Sequence, residues 1–194
     1  MEADLALLIQ QAMSRYHPVG TQTSRALAEV ASLRRVGRHV HIEREQAQVQ
    51  AEYIVLDGVL RAYVLNREGM DVSVNFYPGP AAVTPILMRS LDGTAFCNLE
   101  VLSEEATLLV FDQAGMRAQM ERTADLSQFG YRVMMRDALQ RLEREVVLLK
   151  STGREKLAWF RQHFPNLENE IPHYHIASFL GMTPTSLSRI RGGG

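Results

Sequence analysis

A single cysteine, Cys97, stands in a chain of 194 residues. That excludes an internal disulfide and any iron–sulfur cluster held by several thiolates of this chain. Long apolar runs are missing too: no stretch of about 20 residues is apolar enough to cross a bilayer. The opening Met1-Glu2-Ala3-Asp4 is acidic and lacks the basic start of a secretory signal, so a cytoplasmic protein with no membrane partner is expected. Charge of one sign is also scarce. With a net charge of −1, the chain cannot coat nucleic acid by bulk electrostatics, and any such binding has to come from a local patch. No nucleophile–base pairing and no phosphate-cradling glycine loop stands out, which argues against ordinary catalysis, and no cofactor is implied.

What is present is an ordinary globular composition, 46% apolar and 22% charged, enough for one medium domain or two small ones. The most informative stretch is near the end, Ile171 to Arg191. Ile176, Phe179 and Leu180 before Gly181, and Leu187 and Ile190 after it, recur at spacings of three and four, which predicts two short amphipathic helices joined by a tight turn. Pro172 suits the start of the first helix. Thr183-Pro184 supplies the second with a side-chain cap and a first residue whose missing N–H costs nothing there. This is a helix-turn-helix pattern, in which the second helix presents its N-terminal residues to the DNA major groove. With Leu187 and Ile190 inward, Thr185, Ser186, Ser188, Arg189 and Arg191 join Thr183 as donors for phosphates or bases, and no acid stands among them. From Lys150 onward there are six Lys and Arg against three Glu, so the segment is locally positive.

Upstream, Leu5, Leu8, Ile9, Ala12 and Met13 predict a helix over residues 3–16, closed by His17-Pro18. A second short helix is expected around Ser24 to Leu33. Short β-rich runs follow, Val36 to Ile42, Tyr53 to Leu56, Val59 to Leu65, Val72 to Phe76, Phe96 to Leu102 and Thr107 to Phe111. Asp57-Gly58, Asn66 to Gly69 and Pro78-Gly79-Pro80 mark turns between them. Such spacing predicts a closed antiparallel roll or barrel. Asp112 can cap a short helix through Glu121, and a long helix is predicted from about Asp125 to Lys150. Its second half carries Leu139, Leu142, Val146 and Leu149 as an a/d seam. Thr152-Gly-Arg-Glu155 reads as a capping box that starts a new helix, so Lys150-Ser151 is a break.

IASFLGMTPTSLSRIR resembles the end of the Crp/Fnr transcription regulators, and YIVLDGVLRAYVLNREGMDVSVNFYPG resembles their β-roll, with Thr152-Gly153-Arg154 at the place of their hinge. The resemblance implies an α+β chain with three parts. These are a cyclic-nucleotide-binding-like antiparallel β-roll with N-terminal helices over 1–122, a dimerisation helix over 123–150, and a helix-turn-helix over 151–194. It implies double-stranded DNA and a second copy of the chain as partners, with Met135, Leu139, Leu142, Val146 and Leu149 at the dimer seam. Two recognition helices could then read half-sites about 34 Å apart. Arg189 matches a position that commonly contacts guanine, whereas Pro184 and Thr185 stand where many relatives carry charge. Because the sequence runs only to three glycines after Arg191, the β-hairpin wing of most relatives is expected to be absent.

Family members that bind cyclic nucleotides hold the phosphate with arginine and the ribose with glutamate. An ungapped reading puts Val83-Thr84-Pro85 where Gly-Glu-Leu would be, Thr94-Ala95 where the Arg and its small neighbour would be, and Leu139 and Gln140 where the long helix presents hydroxyls. Arg89 is the nearby cation. The roll is therefore expected not to bind cyclic AMP usefully, and any small-molecule effector is of unknown identity. Two rival readings stay open. One is a signal-binding module whose helical tail contacts protein. The other is a metal-dependent enzyme similar to the cupins, since His39 and His41 would share a strand face with Glu45 beyond. The second histidine motif of that family is missing after Gly79, so no metal site is expected.

Overall fold

The computed structural model describes residues 2–84 and 90–192. Among these residues eight strands form two four-stranded antiparallel sheets. One has the order β1 (Ala31–Gly37), β8 (Glu105–Asp112), β3 (Ala51–Asp57), β6 (Ala81–Ala82); the other has β2 (His41–Glu43), β7 (Asn98–Val101), β4 (Val59–Leu65), β5 (Asp71–Pro78). The sheets face each other across a core of Tyr53, Val55, Leu60, Leu99, Val101, Leu108 and Val110. Residues of alternate parity on β3 and β8, namely Ile54, Leu109 and Phe111, turn the other way into a second core. Both faces of β8 are thus covered, which is why Leu108 to Phe111 is a continuous apolar run with no polar alternation.

The second core is closed by α1 (Glu2–Ser14), α2 (Thr21–Ala28), α3 (Gln113–Arg122) and the first half of α4 (Ala124–Lys150), through Ile9, Met13, Leu27, Met116, Leu126, Phe129 and Val133. Asp112 caps α3 by accepting from the Gly115 N–H at 2.7 Å. The chain leaves α4 through an extended Ser151. The capping box is present: Thr152 Oγ1 accepts from the Glu155 N–H while the Glu155 carboxylate accepts from the Thr152 N–H, and α5 (Gly153–His163) begins there.

A third core joins the roll to the remaining helices, α6 (Leu167–Glu170), α7 (His173–Phe179) and α8 (Pro184–Gly192). Val59, Phe76 and Leu102 of the roll pack there with Leu157, Phe160, Phe164, Ile176, Phe179 and Leu187. The end of the chain is therefore seated on the β-roll as well as tethered through Ser151.

Two expectations are corrected. The helix expected around Ser24 to Leu33 is α2, Thr21–Ala28, because Ala31 to Gly37 pairs residue for residue with Phe111 to Glu105 as β1. The strand expected over Val36 to Ile42 is broken. Its ladder ends at Gly37, the Val40 N–H closes a turn onto the Gly37 carbonyl, and His39 takes a left-handed φ of 63°. His39 and His41 therefore do not share a strand face.

Candidate nucleic-acid interface and its surroundings

The turn between α7 and α8 is a Schellman closure. The Met182 N–H donates to the Ala177 carbonyl at 3.0 Å and the Gly181 N–H to Ser178 at 3.2 Å, with Gly181 at φ +63° in the position that favours glycine. Thr183 then caps α8, its Oγ1 accepting from the Ser186 N–H at 3.1 Å and lying 2.9 Å from the Ser186 hydroxyl. Pro184 is the first helical residue. Leu187 is buried in the third core, and Ile190 packs so closely on α5 that a Cβ on Gly153 would lie 2.5 Å from its Cδ1. This docking fixes the rotation of α8 and leaves Thr183, Thr185, Ser188 and Arg189 exposed.

Three of the expected donors are already engaged, Thr183 among them as the cap itself. Ser186 serves the cap. The Arg191 guanidinium is turned onto Glu168 of α6, with Nε 2.6 Å from Oε1 and Nη1 2.9 Å from His173 Nδ1. Glu168 is buried and also holds Arg161 at 2.5 and 3.0 Å, and the hydrogen bonds from Arg161 keep its carboxyl below the usual range. Sequence reasoning missed Glu168, which lies 23 residues from Arg191 with no local pattern linking them.

The first helix of the motif is fastened to the roll by polar contacts. Ser178 Oγ accepts from the Ser73 N–H of β5 at 3.1 Å, and the two hydroxyls are 3.0 Å apart. Arg144 of α4 donates from Nη2 and Nε to the Phe179 carbonyl at 2.6 and 3.1 Å and lies over the Phe179 ring. Beneath them Arg61, fully buried, donates to Ser73 Oγ and Glu100 Oε1, both at 2.9 Å, and pairs with Asp71.

His175 of α7 is buried against this cluster, with Nδ1 3.7 Å from Asp71 Oδ2. Burial first, and then the Arg61 charge, push its pKa from 6.5 down to about 4, against a smaller opposing pull from Asp71. The unfolded chain thus takes up a proton that the folded chain refuses. Stability contributed here is full above about pH 6.5 and is lost as the pH falls toward 4. Urea midpoints measured between pH 7.5 and 4 are expected to fall less steeply in His175→Gln than in the parent chain. Equal slopes would place the pH dependence on other groups.

On α4 the face opposite Leu126, Phe129 and Val133 is apolar and open. Tyr131, Met134, Met135, Leu139, Leu142, Val146 and Leu149 are all exposed, Leu149 to 81%. Met135, Leu139, Leu142, Val146 and Leu149 follow one another at spacings of four, three, four and three, so they form one stripe along the helix.

No family model matches the sequence, and no curated protein matches it either. Solved structures do match its fold. FixK2 from Bradyrhizobium japonicum superposes with a TM-score of 0.73 at 14% identity, covering 84% of this chain and 83% of that one. A Crp/Fnr-family transcriptional regulator from Eubacterium rectale gives 0.69 at 16% identity over 89% and 82%. CLP of Xanthomonas campestris, described as a c-di-GMP responsive global regulator, gives 0.66 at 11% identity over 89% and 90%. The chain shares the fold of these three proteins.

Within that fold the expected effector positions do not converge. Thr84 is buried and Gln140 half-buried, and both line a cleft of about 460 Å³ bounded by the Pro78 to Ala82 turn, α4 and the end of α5. Thr94 instead belongs to a surface turn, donating from its N–H and hydroxyl to the Asp92 carboxylate at 3.0 and 2.7 Å. Ala95 is buried beside that turn, and Leu139 lies on the outward stripe of α4. Arg89 lies outside the described residues. Between the sheets the roll is filled by its own side chains, among them Tyr53, Leu60, Leu99 and Cys97, whose thiol burial pushes up to about 11. Of the cupin-like pair, His41 Nε2 lies 2.8 Å from the Tyr63 hydroxyl while His39 sits in the turn. Among the described residues no three His, Cys, Asp or Glu gather where they could hold a metal, and no helix is long and apolar enough to cross a membrane.

Proposed function

We propose that this chain is a homodimeric transcription regulator that reads double-stranded DNA with α8. In this reading residues 1–122 form a sensing unit, 123–150 a dimerisation helix and 151–194 the helix-turn-helix. The observation that carries it is the outer face of α8. Its N-cap is satisfied by Thr183, its inward residues are docked, and Thr185, Ser188 and Arg189 project with no acid on the helix. A rigid rod presenting hydroxyls and one uncommitted guanidinium suits base edges flanked by phosphates. Selection of bound duplexes from a random pool tests the reading. Enrichment of a twofold-symmetric site with half-sites about one helical turn apart is expected, and a pool that stays unenriched would refute DNA reading.

Within the enriched site, Arg189→Ala is expected to cost about 1–3 kcal/mol and to relax preference at one base pair. A gel-shift series at fixed salt measures both, and unchanged affinity and preference would remove Arg189 from the interface. Cyclic AMP is not the effector in this reading, because Thr94 is tied into a surface turn, Ala95 is buried beside it, and neither supplies a cation for the phosphate. Calorimetry is expected to record no binding of cyclic AMP at micromolar concentrations, and a micromolar dissociation constant would contradict this.

A further inference from the structure

The cleft that holds Thr84 and Gln140 has its own chemistry. It lies where four parts of the chain meet: the end of α1, the β5–β6 turn, the middle of α4 and the end of α5. Arg15 and Arg136 stand on its rim, both exposed, with Arg136 stacked over the Tyr16 ring at 5.4 Å. Neither arginine is ion-paired among the described residues. Of the carboxylates at the cleft, Asp137 lines it and is paired with Arg141 at 2.5 Å, and Glu143 lies 2.9 Å from His163 Nε2. The floor is polar and desolvated. Asn75 and Thr84 are buried there. A cavity of about 460 Å³ falls in the range of small-molecule sites, and such sites favour junctions between structural units.

We propose that this cleft binds a small polyanion bearing phosphate or carboxylate groups, gripped at the rim by Arg15 and Arg136 and hydrogen-bonded at the floor by Thr84 and Gln140. Planar guanidinium forks match both anion types, and a site partly shielded from water strengthens each charge-assisted bond. Thr94, Ala95 and Leu139 take no part. The end of α5 forms one wall, so a guest would bridge the roll to the helices that carry α8. Its role as an effector rests on the regulator reading; the binding does not.

Melting curves of the full chain with pyrophosphate and with citrate, at constant ionic strength and against chloride, test the proposal without DNA. One or both probes should raise the melting temperature with saturation. Saturation by pyrophosphate alone marks a phosphate site, and by citrate alone a carboxylate site. The double variant Arg15→Gln/Arg136→Gln should weaken the dissociation constant at least about tenfold, while Arg25→Gln, on exposed α2 surface outside the cleft, should bind as the parent does. Both substituted arginines are exposed, so the unliganded melting temperatures check that the variants fold. No shift beyond chloride with either probe, or an unchanged constant in the double variant, would overturn the proposal. A chain that binds the anion but selects no DNA keeps the site and loses only the effector role.

Discussion

Phe76→Ala is expected to lower the unfolding free energy by about 3–5 kcal/mol and to release the C-terminal helices before the roll. Phe76 points from β5 away from the intersheet core and into the third core, where it is 2% exposed. It meets Phe160 and Phe164 edge-on at centroid separations of 6.0 and 5.9 Å and Phe179 at 5.2 Å. Truncation would leave a cavity among three rings that cannot collapse together, and each aromatic pair adds roughly 0.5–1.5 kcal/mol beyond burial. The other two cores contain no atom of this side chain, so the loss falls on α5 to α8. Trp159, the one tryptophan, stacks on His163 at 4.2 Å and lies 6.2 Å from Phe179, and it reports on that core alone. In the variant its fluorescence should change at lower urea than the β-sheet circular dichroism. A cost below about 1 kcal/mol, with the two probes still coincident, would show that the roll does not anchor the motif.

That anchoring was the least legible part of the sequence, and the reason is physical. Thr152-Gly-Arg-Glu155, Thr183-Pro184 and Gly181 could be read because caps and turns are decided by residues three or four apart. The roll was readable for a related reason, since antiparallel strands joined by Asp57-Gly58 and Pro78-Gly79 carry their turn chemistry with them. The Ser73–Ser178 contact joins residues 105 apart, and nothing near either serine announces it. The clamp of Glu168 on Arg191 is equally silent, which is why Arg191 reads from sequence as a free donor. His39 looked like part of a strand because histidine carries no warning of a left-handed φ. Ala31 to Leu33 looked like the end of a helix because its partner, β8, lies nearly 80 residues away and local propensity yields to pairing. Among the effector positions, Thr84 and Gln140 do meet across the cleft while Thr94 and Ala95 do not. An ungapped reading preserves spacing along the chain but not the direction in which a surface turn carries it.

The double variant Leu139→Glu/Leu142→Glu is expected to be monomeric and to lose roughly 10²- to 10⁴-fold in affinity for a twofold-symmetric duplex. Both side chains are more than half exposed, at 54% and 57%, and neither belongs to any of the three cores, so the protomer should keep its fold. Across a twofold axis, however, each would face its own copy or a neighbour on the stripe, and four carboxylates would then be confined in an apolar seam. The effect on DNA follows from linkage. With the subunits joined, the second α8 engages its half-site as an intramolecular event, which raises affinity by about 10²–10⁴ without new contacts; a monomer loses that factor and retains single half-site binding. Sedimentation equilibrium and gel shifts on full and half sites separate the two parts. The parent's melting temperature should also rise with protein concentration and the variant's should not. A parent chain that sediments as a monomer, or a variant that remains dimeric, would mean that the open stripe of α4 serves something other than a second copy.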